Sequence, residues 1–359
     1  FFYGWLLRQK TMLLTPMSWN IRNYVMRYLL LAKLAAFSNH IVAINQITAA
    51  RILQRELRRL LYMSKKDEPK KLGKNGVDMG DRGVYDKRNT LNDLTGKEWV
   101  FFTNSVWITG YSPTAKENVG LKYRKIHPSP KPPALMKDII EFFTKADGKI
   151  LDPFCGVGGT LLGAAMAGGN RKAVGIELEP KFIEAYQKVC ETENMQLMTM
   201  INDDSKNMLQ HPEVSETVFD LIIADPPYSD MMSKERTGQR KKLYNDSSPM
   251  PYTEESADLG NMSQEDFFPA LRNIMQLCFS RLKNKGYMVV FCKDFQPQPG
   301  KPNLLHADII NELCKIDGLV YRGMRIWHDQ AMSLFPFGYP YSFVMNQIHQ
   351  YVLIFRKEL

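Results

Sequence analysis

The residues able to do chemistry stand where apolar runs stop. At 221–230 the chain reads LIIADPPYSD, an apolar run that meets an acid, two prolines and an aromatic ring. Proline cannot donate to a strand ladder and pushes the residue before it into extended backbone, so Pro226 and Pro227 explain a strand stop. They do not explain Asp225 and Tyr228. A second group, DPFCGVGGT at 152–160, follows one strand pattern and opens a helix pattern. Gly156 and Gly158 allow a tight turn and close approach of backbone to a ligand, and the helix start offers free N–H groups. Leu161 occupies the place of the third glycine of a dinucleotide fingerprint, so this is not the complete dinucleotide pattern. Glu177 ends the next apolar run, AVGIE, 19 residues beyond Gly158. An acid there accepts hydrogen bonds from both hydroxyls of a ribose. In INDDS (201–205), Asp204 is placed to meet an adenine amino group, with its neighbour Asp203 as the alternative.

Strand–helix alternation must position these groups. Strands are expected at 149–152, 172–176, 198–202, 219–224, 286–292, 319–327 and 348–356. Helices are expected at 133–145, 159–168, 180–192, 264–284 and 304–316, with a polar insertion at 229–262. Such alternation implies an open parallel sheet covered on both faces. Ahead of it, WVFFTNSVWIT (99–109) reads as a short aromatic strand. Residues 65–98 are polar, charged and glycine-bearing, and with that strand they make 65–120 a linker and lead-in. Residues 1–64 read as basic helices, in which Arg51, Arg55, Arg58 and Arg59 share one side.

These strand ends, in this order, resemble the class I methyltransferases that use S-adenosylmethionine, and most closely the DNA enzymes acting on exocyclic amino groups. HPSPKPP (127–133) is similar to that family's His-Pro…Lys-Pro segment, which packs beside the methionine end of the cofactor. The resemblance covers roughly 120–359. It implies a mostly parallel seven-stranded α/β sheet with helices on both faces, with 121–359 as the catalytic domain. It also implies that S-adenosylmethionine is held by His127, Lys131, Asp152, Pro153, Phe154, Gly156, Gly158, Glu177, Asp204 and Asp225. The catalytic group would be Asp225, Pro226, Pro227 and Tyr228. An exocyclic amino nitrogen is a poor nucleophile because its lone pair is delocalised into the ring. Asp225 and the Pro226 carbonyl can accept its two N–H groups, the prolines fix that geometry beforehand, and Tyr228 offers a face for an extruded base. Asp-Pro-Pro-Tyr leans to adenine N6. DNA cytosine N4, an RNA guanine-N2 enzyme and an inactive nucleic-acid-binding subunit are the alternatives. His127 and Cys155 read as packing residues, and Lys293 and Asp294 as either substrate-facing or solvated.

Composition sets bounds. The formal charge is +9, of which residues 1–64 carry +8 and 65–98 carry +2, leaving a near-neutral body. A basic front end suggests a polyanion, here DNA. The arrangement leaves no room for a separate recognition domain between the two motif halves. Target reading is therefore expected from residues 1–98, from the insertion with its basic KERTGQRKK (234–242), or from a partner subunit or domains ahead of Phe1. The loop LFPFGYPYSF (334–343) adds Phe337, Tyr339 and Tyr341 as rings for base stacking. Five scattered cysteines without metal-ligand spacing suggest a reduced, intracellular (cytoplasmic) protein without structural zinc. The apolar stretch 24–44 is interrupted by Arg27 and Lys33, which argues for an amphipathic helix and not a membrane span.

Overall fold

The computed structural model describes residues 72–110, 118–228, 252–253, 255, 258–297, 302–330 and 332–359, all within one unit, Leu72–Leu359. The basic helices expected at 1–64 and the KERTGQRKK stretch lie outside the described residues. In chain order the elements are β1 (Gly76–Asp78), β2 (Val84–Asp86), α1 (Gly96–Phe102), β3 (Val106–Thr109), α2 (Leu121–Arg124), α3 (Pro133–Phe143), β4 (Lys149–Asp152) and α4 (Gly159–Ala167). Then come β5 (Lys172–Glu177), α5 (Pro180–Thr192), β6 (Thr199–Asn202), α6 (Pro212–Ser215), β7 (Phe219–Ala224), α7 (Gln264–Arg281), β8 (Leu282–Cys292), α8 (Leu305–Leu313), β9 (Leu319–Asp329) and β10 (His349–Lys357).

One sheet runs β3-β9-β10-β8-β7-β4-β5-β6, and β10 alone is antiparallel to its neighbours. Successive side chains of a strand point to opposite faces, so strands buried on both sides read as unbroken apolar runs. In β7, Ile222 and Ala224 join the core under α7 and α8, while Leu221 and Ile223 join the core under α3, α4 and α5. Met288 and Val290 of β8 divide from Val289 and Phe291 in the same way. This is the α/β class I methyltransferase architecture. The parallel strands β4, β5, β6, β7 and β8 bring Asp152, Glu177, Asn202, Ala224 and Cys292 to one edge.

The sheet has eight strands and not seven, because the aromatic run 99–109 divides. Thr95 and Glu98 form a capping box: the Thr95 hydroxyl accepts the Glu98 N–H at 3.4 Å and the Glu98 carboxylate accepts the Thr95 N–H at 2.9 Å. That box starts α1, which places Phe102 flat on Phe142 with ring centroids 3.8 Å apart. Only Val106–Thr109 is a strand, paired parallel to β9. The Arg325 guanidinium lies over Phe102 and Trp107 at 4.1 and 4.3 Å and holds α1, β3 and β9 together.

Residues 72–109 also differ from the expected linker: they pack on the catalytic unit. Asn92 is fully buried and donates to the Phe142 carbonyl at 2.5 Å, while its own carbonyl accepts the Leu94 N–H and the Asn89 side chain. Local Asn and Asp turn chemistry gives such a segment no period to read, yet it satisfies the end of α3. Asn92→Ala leaves that buried carbonyl without its partner and should cost about 2–3 kcal/mol of stability. Urea unfolding with an unchanged midpoint would show that the segment is an appendage after all.

Candidate active site

The edge formed by β4, β5, β6 and β7 opens into one pocket. Its walls include His127, Lys131, Asp152, Pro153, Phe154, Gly156, Glu177, Asp204, Asp225 and Pro227. Of the residues expected there, Gly158, Pro226 and Tyr228 are not among the lining residues. Gly158 is in the left-handed region (φ 74°), where a side chain would overlap the Tyr186 ring, so it turns the chain into α4. Gly156 (φ 52°) faces His127, and a Cβ there would come within 3.2 Å of the imidazole Nε2.

Glu177 is held by backbone. Its carboxylate accepts the Gly156 N–H at 2.6 Å and the Glu179 N–H at 2.9 Å. Burial nevertheless pushes its pKa up to about 7. Asp152 accepts the Phe154 N–H at 2.9 Å, and burial lifts it to about 7 as well. Geometry distinguishes Asp203 from Asp204, which pairs with Lys206 at 3.4 Å. Asp203 is taken by the His211 Nε2 at 2.7 Å and the Asn207 amide at 2.9 Å, whereas Asp204 caps the following turn and lines the pocket.

At the β7 end, Asp225 receives two donors. Lys131 Nζ forms an ion pair with Oδ2, and the Tyr228 hydroxyl donates to Oδ1 at 2.8 Å. The lysine is buried, and its ammonium also lies 5.3 Å from the Phe291 ring centroid. This pair links the HPSPKPP segment to the Asp225 strand end. An ionised carboxylate has about four lone-pair positions, so Asp225 keeps capacity toward the pocket. Tyr228 is buried, with its ring in the core and its hydroxyl inward.

Several pocket residues had no motif to mark them. Arg124 is fully buried, donates to the carbonyls of Lys131 and, at 3.3 Å, of Val157, and so staples the proline segment to the glycine turn. Burial lowers its pKa to about 10. Phe182 and Tyr252 flank the His127 ring with centroids at 4.8 and 5.0 Å, and desolvation with the Lys131 and Arg124 charges pushes that imidazole down to about 3. Thr253 and Asp258 add a further polar wall, joined at 3.1 Å. A fit to S-adenosylmethionine rests on the donor set: an acid beside a glycine turn for the ribose, an acid after β6 for the base, and open backbone at the start of α4. Cys155 packs against Gly175, where no side chain would fit, and burial raises its thiol pKa. Lys293 lies outside the pocket wall, and Asp294 is occupied by His306 at 2.8 Å. Among the described residues no cluster of His, Cys, Asp or Glu is placed to hold a metal ion, and no helix is long and apolar enough to cross a membrane.

Lys131→Met should destabilise the protein by about 2–3 kcal/mol, because it strands a carboxylate, and less than a fully enclosed pair would because Asp225 keeps 19% of its side chain in solvent. Lys131→Met combined with Asp225→Asn should recover part of that loss in urea unfolding. Strict additivity of the two changes would show that the pair is not coupled.

Comparison with known proteins agrees with the geometry. A family profile described as DNA methylase matches residues 37–188, and one described as an RMKL-like methyltransferase domain matches 143–250. The tRNA (guanine(10)-N2)-dimethyltransferase of Methanothermobacter thermautotrophicus is 31% identical over 101 residues, 28% of this chain and 27% of that protein. The type II methyltransferase M2.DpnII of Streptococcus pneumoniae is 38% identical over 110 residues, 31% of this chain and 36% of that protein. The matches thus span 27 to 36% of the length of these relatives. Among solved structures, TrmN from Thermus thermophilus superposes with a TM-score of 0.42 at 14% identity, covering 66% of this chain and 52% of that one. Taken with strand ends in the required order, the profile and the relatives support the S-adenosylmethionine-dependent amino-methyltransferase family for this chain.

Proposed function

We propose that the chain methylates an exocyclic amino group of DNA, with adenine N6 as the target. The observation that carries this reading is Asp225, held at the pocket wall by Lys131 and followed by Pro226 and Pro227. Bound S-adenosylmethionine supplies an electrophilic methyl group on a sulfonium. Glu177, Asp204 and the Gly156 turn would hold its adenosine, and Asp152 with the His127–Lys131 segment would meet its methionine end. The chain's own task is to prepare the amino nitrogen. Asp225 accepts one N–H and the Pro226 carbonyl the other, which draws the lone pair out of the ring and toward the methyl group. Lys131 holds Asp225 in place through their ion pair. The proton lost from the methylated nitrogen passes to Asp225 or to water at the open side. Because the prolines fix the acceptors, little reorganisation remains for the transition state. Tyr228 fixes Asp225 Oδ1 in this structure, and presenting its ring to an extruded base requires a swing out of the core.

The RNA guanine-N2 reading has its own support in the tRNA-modifying relative. Mass spectrometry of nucleosides after incubation with labelled cofactor separates the readings: N6-methyladenosine in DNA is expected. N4-methylcytosine in DNA, or N2-methylguanosine in tRNA alone, would replace the adenine assignment.

Asp225→Ala should retain most cofactor affinity and lose at least about 100-fold in transfer rate, as contacts made in the transition state require. Transfer within a few fold of wild type would remove Asp225 from the mechanism. Glu177 titrates near pH 7, and its carboxylate form is the one that accepts both ribose hydroxyls. Cofactor affinity should therefore rise about tenfold from pH 6 to pH 8 and then level. Calorimetry on Glu177→Gln should show weaker binding with a flatter profile, and an equally steep profile in that variant would assign the proton elsewhere.

A further inference from the structure

β8 and β9 are each antiparallel to β10 and therefore run in the same direction. The chain leaving β9 at Asp329 thus emerges at the sheet edge that carries Asp225. The connection to β10 displays three rings at alternate positions: Tyr339, Tyr341 and Phe343 are 80, 93 and 90% exposed. Rings on a slack loop would turn inward, since apolar surface in water is unfavourable. This loop is not slack. The Asn346 side chain bridges Phe335 twice, accepting its N–H at 2.9 Å and donating to its carbonyl at 2.8 Å. Gln296 donates to the Met345 carbonyl at 2.6 Å and Gln347 to the Phe295 carbonyl at 3.0 Å, which ties the loop to the segment after β8. Inside the loop, the Tyr341 and Ser342 N–H groups both reach the Gly338 carbonyl at 2.8 Å. Gly338 is left-handed (φ 75°), and a side chain there would strike Ser342. The rings are thus presented by a pinned turn.

Charge at the foot of this loop points to the occupant. Lys293 directly follows β8, next to the Phe295 and Gln296 anchors of this loop, and burial with the Lys131 charge lowers its pKa. The neighbouring acid does not neutralise it, because Asp294 gives its oxygens to the His306 ring and backbone at 2.8 and 3.0 Å. A lysine beside the segment that anchors the exposed rings suits an anionic chain of flat bases: stacking serves any base, and a lysine meets the phosphate.

We propose that Tyr339, Tyr341 and Phe343, with Lys293 at the loop's foot, bind unpaired DNA that flanks the target base, the rings stacking on bases and the lysine meeting a phosphate. The proposal rests on the nucleic-acid reading of the pocket and deepens it: the preferred substrate is a single strand or a locally opened duplex. The test is fluorescence anisotropy of the full chain with a labelled single-stranded DNA oligonucleotide, its duplex and its RNA equivalent. Wild type should bind the single DNA strand more tightly than the duplex. The double variant Tyr341→Ala with Phe343→Ala should lose about tenfold or more in that affinity, with its salt dependence and urea midpoint unchanged. Lys293→Met should flatten the slope of log affinity against log salt by about 0.7. Undiminished single-strand binding by the double variant overturns the proposal. A changed oligomeric mass in that variant, with DNA binding intact, assigns the rings to a protein contact instead. A loss confined to RNA overturns the DNA assignment. Ring-dependent binding of DNA by a protein that methylates no nucleic acid would sink the transfer reading and leave the platform standing, so the two fail separately.

Discussion

The buried ion pair between Lys131 and Asp225 is the constraint on which the site depends. It joins residues 94 positions apart, one from the segment before the first inner strand and one from the end of the fourth. Taking both charges out of water is costly, and the pair is tolerated only because its geometry is completed by other donors and surfaces. The Tyr228 hydroxyl occupies the second carboxylate oxygen, the Phe291 ring faces the ammonium, and Arg124 grips the Lys131 carbonyl from behind. Loosening any of these leaves a charge without compensation. The pair therefore fixes the proline segment against the sheet, and with it the start of α3.

The same economy governs the acids. For Asp152 and Glu177 burial dominates, and desolvation leads their shifts. Asp225 is paired with Lys131, and hydrogen bonds from Asn207 and His211 hold Asp203 below the usual carboxylate range. Without ligand, the two raised carboxyls favour folding most below the ordinary carboxylate range and lose that contribution as pH climbs toward 7. A cationic ligand would stabilise the charged forms that burial disfavours.

Much of this was legible in the sequence, for a physical reason. Strands buried on both faces must be apolar throughout, so β4, β5, β7 and β8 announce themselves, and a polar residue at the end of each can only be at the edge. Asp152, Glu177 and Asp225 were readable on that ground. What was not readable depends on contacts between distant residues. No local period marks Asn92, whose partner is the Phe142 carbonyl, and Arg124 sits in a four-residue helix without a motif. The division of 99–109 into helix and strand had a readable signal in the Thr95–Glu98 box, but the aromatic content outweighed it. Which way Tyr228 points is a matter of packing, and no spacing rule gives it.

The antiparallel β10 has a consequence for biosynthesis. It lies inside the sheet, between β8 and β9, although it is made after every other strand of that sheet. Until residue 357 has left the ribosome, β8 presents an open edge along Met288, Val289, Val290 and Phe291, all of which end buried. The cofactor half can collapse first around β4, β5 and β7, while the half that carries the aromatic loop waits with unpaired backbone. Nascent chains are then most exposed to wrong strand pairing in that interval, and a chaperone's protection matters most there.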